Sequence, residues 1–117
     1  MPDTHTMTNA DLQRCIENCT ACHAACLETL AHCLGRGGAH AARDHIRLLA
    51  DCADICRTSA DFMLRGSAHH AAVCAVCAEI CDLCAVECES FPDADAMMRD
   101  CASTCRRCAS SCAEMAA

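Results

Sequence analysis

Between Val73 and Glu89 the chain reads VCAVCAEICDLCAVECE, with cysteines at Cys74, Cys77, Cys81, Cys84 and Cys88. Steps of three and four put these side chains on one face of a helix, in a line about 20 Å long at ~1.5 Å rise per residue. The same period runs through three other stretches. Cys15, Cys19, Cys22, Cys26 and Cys33 follow it in the first, where Thr29 and Leu30 fill the turn between the last two. Cys101, Cys105, Cys108 and Cys112 follow it in the last, one turn after Met97 and Met98. The second stretch carries only Cys52 and Cys56; its face continues back through Leu49, Leu48 and His45 and forward through Ser59, Phe62 and Met63. Charged residues such as Arg99, Asp100, Arg106 and Arg107 fall on the opposite side. The pattern predicts four helices, over residues of about 8–34, 39–65, 68–89 and 93–114.

Local signals set the expected ends. Thr8-Asn9-Ala10-Asp11 resembles a capping box with Asp in the Glu position. Gly35 suits the left-handed position just past a helix, Gly37 and Gly38 make a connection, and Gly66 ends the second helix. Ser67 is the expected N-cap of the third helix, and Pro92 fits the first turn of the fourth. Residues 1–7, with His5, are polar and expected to precede the helical part. Short connections make neighbouring helices antiparallel. The expected fold is all-α: one domain, residues 1–117, forming an antiparallel four-helix bundle with its thiols inward. On the third helix a second apolar line, Val73, Val76, Ile80 and Leu83, runs beside the cysteines. Such a wide apolar face fits either a subunit interface or one deeply buried helix.

Composition sharpens this picture. Sixteen of 117 residues are Cys, aromatics are 2%, and Trp and Tyr are absent, so the core is short of bulk. A net charge of −7 with no basic, aromatic-studded patch argues against nucleic acid and against an anionic membrane surface. No apolar run approaches the roughly 20 residues of a membrane span. The opening MPDTHTMTNAD lacks the basic start and apolar stretch of a signal peptide, so the expected compartment is the cytoplasm. In a reducing compartment many cysteines favour metal binding over disulfides.

One or two core cysteines behave as small hydrophobes and need no explanation; sixteen in one phase do. Disulfides fit poorly between thiols three or four apart on one helix. A redox relay uses an exposed C-x-x-C at a helix start, whereas Cys19/Cys22, Cys74/Cys77, Cys81/Cys84 and Cys105/Cys108 lie mid-helix. Zn²⁺ wants four thiolates per ion, each site then being −2 and costly to bury. Iron–sulfur clusters also want four, usually from loops. Cu(I) is soft and accepts two or three sulfurs, and one Cu⁺ per thiolate leaves a neutral core. The pairs Cys15/Cys19, Cys22/Cys26, Cys52/Cys56, Cys77/Cys81, Cys84/Cys88, Cys101/Cys105 and Cys108/Cys112 each offer an i, i+4 clamp. The expectation is a non-enzymatic Cu(I) store. The alternatives are a zinc or iron–sulfur thiolate protein of the buffering or electron-transfer type and a cysteine-rich interaction bundle holding no metal.

The bundle has two ends. One gathers Leu12, Phe62, Met63, His70 and Met115, an apolar plug with His70 its one candidate ligand. The other gathers Cys33, His45, Cys88, Met97 and Met98. His45, Met97 and Met98 there are the expected entrance ligands for copper, weaker than thiolate and so suited to transfer. His23, His32, His40 and His69 lie off the Cys line and are expected to be solvated.

From Cys15 to Cys112 the pattern resembles the bacterial copper storage proteins, four-helix bundles lined by C-x-x-x-C pairs. The resemblance implies many Cu(I) ions per subunit, a homotetramer, and a mouth with His or Met ligands; copper donor or acceptor proteins are further candidate partners. The absence of a signal-peptide pattern makes the chain similar to the cytosolic members. It departs in carrying both His45 and the Met97-Met98 pair near the mouth, and in a Cys-poor second helix where Leu48 and Leu49 take core space.

Overall fold

The computed structural model describes residues 8–117; the segment before Thr8, including His5, lies outside the described residues. Four α-helices follow in order: α1 (Asn9–Arg36), α2 (Arg43–Leu64), α3 (His70–Glu89) and α4 (Ala96–Ala116). A short 3₁₀ turn, Gly38–Ala41, lies between α1 and α2. Each helix packs against two others, α1 on α2, α2 on α3, α3 on α4 and α4 on α1, closing a four-sided bundle. Cross-contacts fix the directions. Cys15 meets Cys112 and Cys26 meets Cys101, so α1 and α4 are antiparallel. Cys52 meets Cys81 and Cys56 meets Cys77, so α2 and α3 are too. The fold is the expected all-α antiparallel bundle.

The helices start and stop for local reasons. At the head of α1 the Thr8 hydroxyl accepts from the Asp11 amide while the Asp11 carboxylate accepts from the Thr8 amide, a reciprocal capping box. At its tail the expectation of a stop at Gly35 is corrected. Gly35 stays helical, and Gly37, at φ +71°, takes the cap and donates to the Cys33 carbonyl. A left-handed φ is what a residue without Cβ adopts freely, and Arg36 supplies the last turn. The second helix begins at Arg43 rather than near residue 39, because Gly38–Ala41 winds as a 3₁₀ turn first.

Two further ends differ from expectation. Ser67 does not cap α3: its hydroxyl accepts from the His69 amide within the turn, and the helix starts at His70 without a side-chain cap. Pro92 does not open α4 but lies in the connection before it. Asp95 is the cap, accepting from the Met98 amide.

The core is made largely of sulfur. All sixteen cysteines are 0–1% exposed, and the other buried apolar side chains are few: Ile16, Leu49, Met63, Met98, Met115 and five alanines. Leu49 is buried as expected for its place on the α2 stripe; Leu48 is only half-buried. On α3, Val76 (48% exposed), Leu83 (54%) and Val86 (56%) face outward. The helix is therefore not deeply buried within its own chain.

Asp95 also accepts from His32, with the Arg36 guanidinium nearby. The His32 bond and then the Met98 amide hold its carboxyl down at about 2. A depressed carboxylate contributes stability above its unfolded pKa, near 4, and loses it as pH falls through about 2. Replacing this N-cap, Asp95→Ala, is expected to cost about 1 kcal/mol. In thermal unfolding of the metal-free protein at neutral pH that is a drop of roughly 4–8 °C. An unchanged midpoint would remove Asp95 as the determinant of where α4 begins.

Candidate metal centre

The thiols come from all four helices because each stripe keeps the helical period and each helix turns its stripe to the common axis. Across that axis the sulfurs touch. Cys19 Sγ lies 3.5 Å from Cys112, Cys56 3.5 Å from Cys81, Cys22 3.6 Å from Cys105 and Cys108 3.6 Å from Cys19. Within single helices Cys22/Cys26, Cys77/Cys81 and Cys108/Cys112 stand at 3.9–4.0 Å. The shortest approaches thus join different helices, which spacing along one helix cannot reveal. None of the cysteines is disulfide-bonded.

These separations suit a bridging metal. With metal–sulfur bonds of about 2.3 Å, a trigonal ion holds its sulfurs about 4.0 Å apart and a linear one about 4.6 Å. Five sets of sulfurs lie mutually within 4.8 Å, and together they form a chain along the axis. Cys22, Cys26, Cys52 and Cys105 share two members with Cys22, Cys52, Cys56 and Cys81. That set shares Cys56 and Cys81 with Cys56, Cys77, Cys81 and Cys108, which shares Cys77 and Cys108 with Cys19, Cys77, Cys108 and Cys112. The last set, Cys15, Cys74 and Cys112, joins through Cys112. Because neighbouring sets overlap, separate four-thiolate ions cannot occupy them all. A row of ions sharing bridging thiolates can.

The thiols differ in acidity. Hydrogen bonds from the Cys108 and Cys112 thiols bring Cys19 down to about 5. Burial pushes Cys33 up, with the Asp95 charge adding to it. Cys33, Cys84, Cys88 and Cys101 belong to none of the five sets; they line the end of the bundle where α1 and α3 finish, although Cys26 reaches Cys101 at 4.0 Å.

That end holds the expected entrance ligands, but not together. His45 is 2% exposed, and neither ring nitrogen has a hydrogen-bond partner; Nδ1 lies 3.4 Å from a Glu87 carboxylate oxygen. Burial lowers its pKa, so at neutral pH it is an imidazole with a free lone pair. Met98 is fully buried in the core. Met97 points away from both: at 41% exposure it lines a surface groove of about 430 Å³ between α1 and α4, beside Glu28, Asp100 and Cys101. Adjacent helical residues point about 100° apart, so a Met-Met pair cannot serve one face.

The end is also covered, which the sequence did not reveal. The Phe91 ring lies 4.6 Å from that of His40 and 4.7 Å from that of His45. His40, expected to be solvated, is instead buried, with Nε2 at 3.0 Å from Asp93. Arg36 pairs with both Asp93 and Asp95. His32 is tied to Asp95, and His23 bonds the Ala53 carbonyl at 2.8 Å. His69 is exposed as expected. At the other end Met63 and Met115 are buried while Leu12, Phe62 and His70 are half-buried; His70 Nδ1 meets the Ser67 carbonyl at 3.1 Å.

Comparison with known proteins agrees with this geometry. The sequence pattern of a family described as copper storage protein matches residues 8–117. The uncharacterized cysteine-rich protein YhjQ of Bacillus subtilis (strain 168) is 38% identical over 76 residues, which is 65% of this chain and 70% of that protein. A crystal structure of a protein from Nitrosospira multiformis is similar at a TM-score of 0.87 with 48% identity, covering 93% of this chain and 97% of that one. The Cu(I)-bound copper storage protein BsCsp3 is similar at 0.84 with 36% identity, covering 92% and 99%. The apo form of copper storage protein 3 from Bacillus subtilis is similar at 0.79 with 35% identity, covering 90% and 98%.

Complete burial of every thiol has a direct consequence. In the folded, metal-free protein DTNB is expected to react with the cysteines only as fast as the bundle opens, and to reach all sixteen in denaturant. A rapid native-state burst from several thiols would contradict the inward orientation.

Proposed function

This chain belongs to the copper storage protein family, and from that premise we propose that it holds many Cu(I) ions per subunit on the thiolates lining its core. The observation that carries this reading is the continuous run of overlapping sulfur sets along the axis. A soft monovalent ion satisfied by two or three sulfurs can occupy such a run, and one ion per thiolate keeps the buried charge near zero. The ligands are Cys15, Cys19, Cys22, Cys26, Cys33, Cys52, Cys56, Cys74, Cys77, Cys81, Cys84, Cys88, Cys101, Cys105, Cys108 and Cys112, all turned to the core of a single bundle domain. The protein works by binding rather than by catalysis.

Copper enters at the covered end, with His45 and Met98 as transfer ligands. The buried Nε2 of His45, which has no hydrogen-bond partner, supports this assignment. Met97 meets an incoming ion outside, where its thioether is exposed. Donor or acceptor proteins for copper dock at this end. Sixteen free thiols suit the reducing cytoplasm. The subunits assemble as a homotetramer; the outward line of Val76, Leu83 and Val86 on α3 supports self-association.

Anaerobic titration against a competing chelator is expected to give Cu(I) near one per cysteine with no visible absorption. Zinc at one per four cysteines, or a brown chromophore, would overturn the reading. Each thiol that gives up its proton makes binding weaken by about tenfold per pH unit below its pKa. Burial pushes the Cys33 thiol up, so protons compete with copper for it as pH falls. The triple variant His45→Ala, Met97→Leu, Met98→Leu is expected to take up the first one or two equivalents more slowly at unchanged final capacity. Unaltered uptake kinetics in stopped flow would remove these residues from the entrance.

A further inference from the structure

At the end where α1 and α3 begin, the core chemistry changes. Cys15, Cys74 and Cys112 form the last sulfur set on the axis. Two buried side chains of α2 converge on one of them. Met63 Sδ lies 3.9 Å from Cys74 Sγ, and Ser59 Oγ lies 3.4 Å from the same sulfur. Met63 is 2% exposed and Ser59 wholly buried. Leu would fill the Met63 position as well by volume, but it would offer the thiol no second sulfur.

The separation is that of two ligands on one trigonal Cu(I), which with bonds of about 2.3 Å stand about 4.0 Å apart. A thioether is soft, so it suits this ion, and it has no proton to lose. It is also neutral. Cu⁺ on three thiolates carries −2, whereas Cu⁺ on two thiolates and a thioether carries −1 and is less costly to bury. The Ser59 hydroxyl can donate to the Cys74 thiolate, which favours its charged form.

We propose that Met63 is a Cu(I) ligand, its thioether joining Cys74 and one of Cys15 and Cys112 in a terminal site that closes the run of thiolate sites. The site rests on the Cu(I)-storage reading above. Each cysteine that takes the ion releases its proton to solvent, the thioether contributes a lone pair, and no electron is transferred. What the sequence pattern presents as an apolar plug is thereby the last coordination site of the core.

The test uses the full chain carrying Met97→Leu and Met98→Leu, so that the entrance cannot contribute, with the remaining methionines as selenomethionine. The protein is loaded anaerobically with Cu(I), bound copper is counted, and selenium-edge X-ray absorption is recorded. A selenium–copper path at bonding distance is expected. Adding Met63→Leu should abolish it and remove one chelator-resistant equivalent while the remaining copper stays bound; Met115→Leu should leave the path in place. Copper-loaded protein without the path, or with a path that survives Met63→Leu, overturns the proposal and leaves storage intact. Failure to bind copper at all overturns both. If Met63→Leu fails to fold, the Met115→Leu protein decides: a path lost there belongs to Met115 and overturns the proposal.

Discussion

Sulfur packed against sulfur at van der Waals distance, along a dry axis, is the constraint on which the rest of this protein depends. A thiol is a small hydrophobe and can be buried neutral; a thiolate without a cation cannot. The core therefore has two acceptable conditions, protonated and empty or deprotonated and filled with cations. The approaches of 3.5–4.0 Å suit both. They allow hydrogen bonds among thiols without metal, and they nearly match the spacing that a trigonal soft ion imposes. Little movement of the helices is needed between the two, so the bundle can be preformed rather than folding around its cargo.

This core would be weak if packing alone held it. Leu49, Met63, Met98, Met115 and Ile16 are its only large buried apolar side chains among the described residues. The helices are instead fixed at their ends by polar devices: the Thr8–Asp11 box, the Asp95 cap, and the strap of Arg36 to Asp93 and Asp95. Metal that binds only the folded state adds stability by linkage. A storage bundle can accept a thin apolar core because its cargo cross-links the helices when it is full.

The two ends of the axis have different chemistry. One is roofed by Phe91 tilted against His40 and His45, with the connection before α4 strapped over it. The other narrows onto Cys74, where a hydroxyl and a thioether meet one thiol. The roofed end buries two imidazoles, with His45 Nδ1 facing Glu87 and its Nε2 without a hydrogen-bond partner.

The period of the cysteines determined the four helices and the inward turn of the thiols, because a three–four step allows only one helical face to carry them, and the short connections determined their antiparallel order. It also placed His45 and Leu49 on that face. Local signals marked the helix ends less well: Gly35, Ser67 and Pro92 each have the right chemistry one or a few residues from where it is used, since several neighbours could serve and tertiary contacts choose among them. Only the folded bundle decided which sulfurs meet, because the shortest contacts cross between helices whose axial stagger no spacing encodes. The same packing brought Met63 to Cys74, and the course of the two connections buried His40 under Phe91. A helix's own sequence fixes the direction of its side chains; what they touch depends on how far the neighbouring helix has slid, and that is set by the whole packed structure.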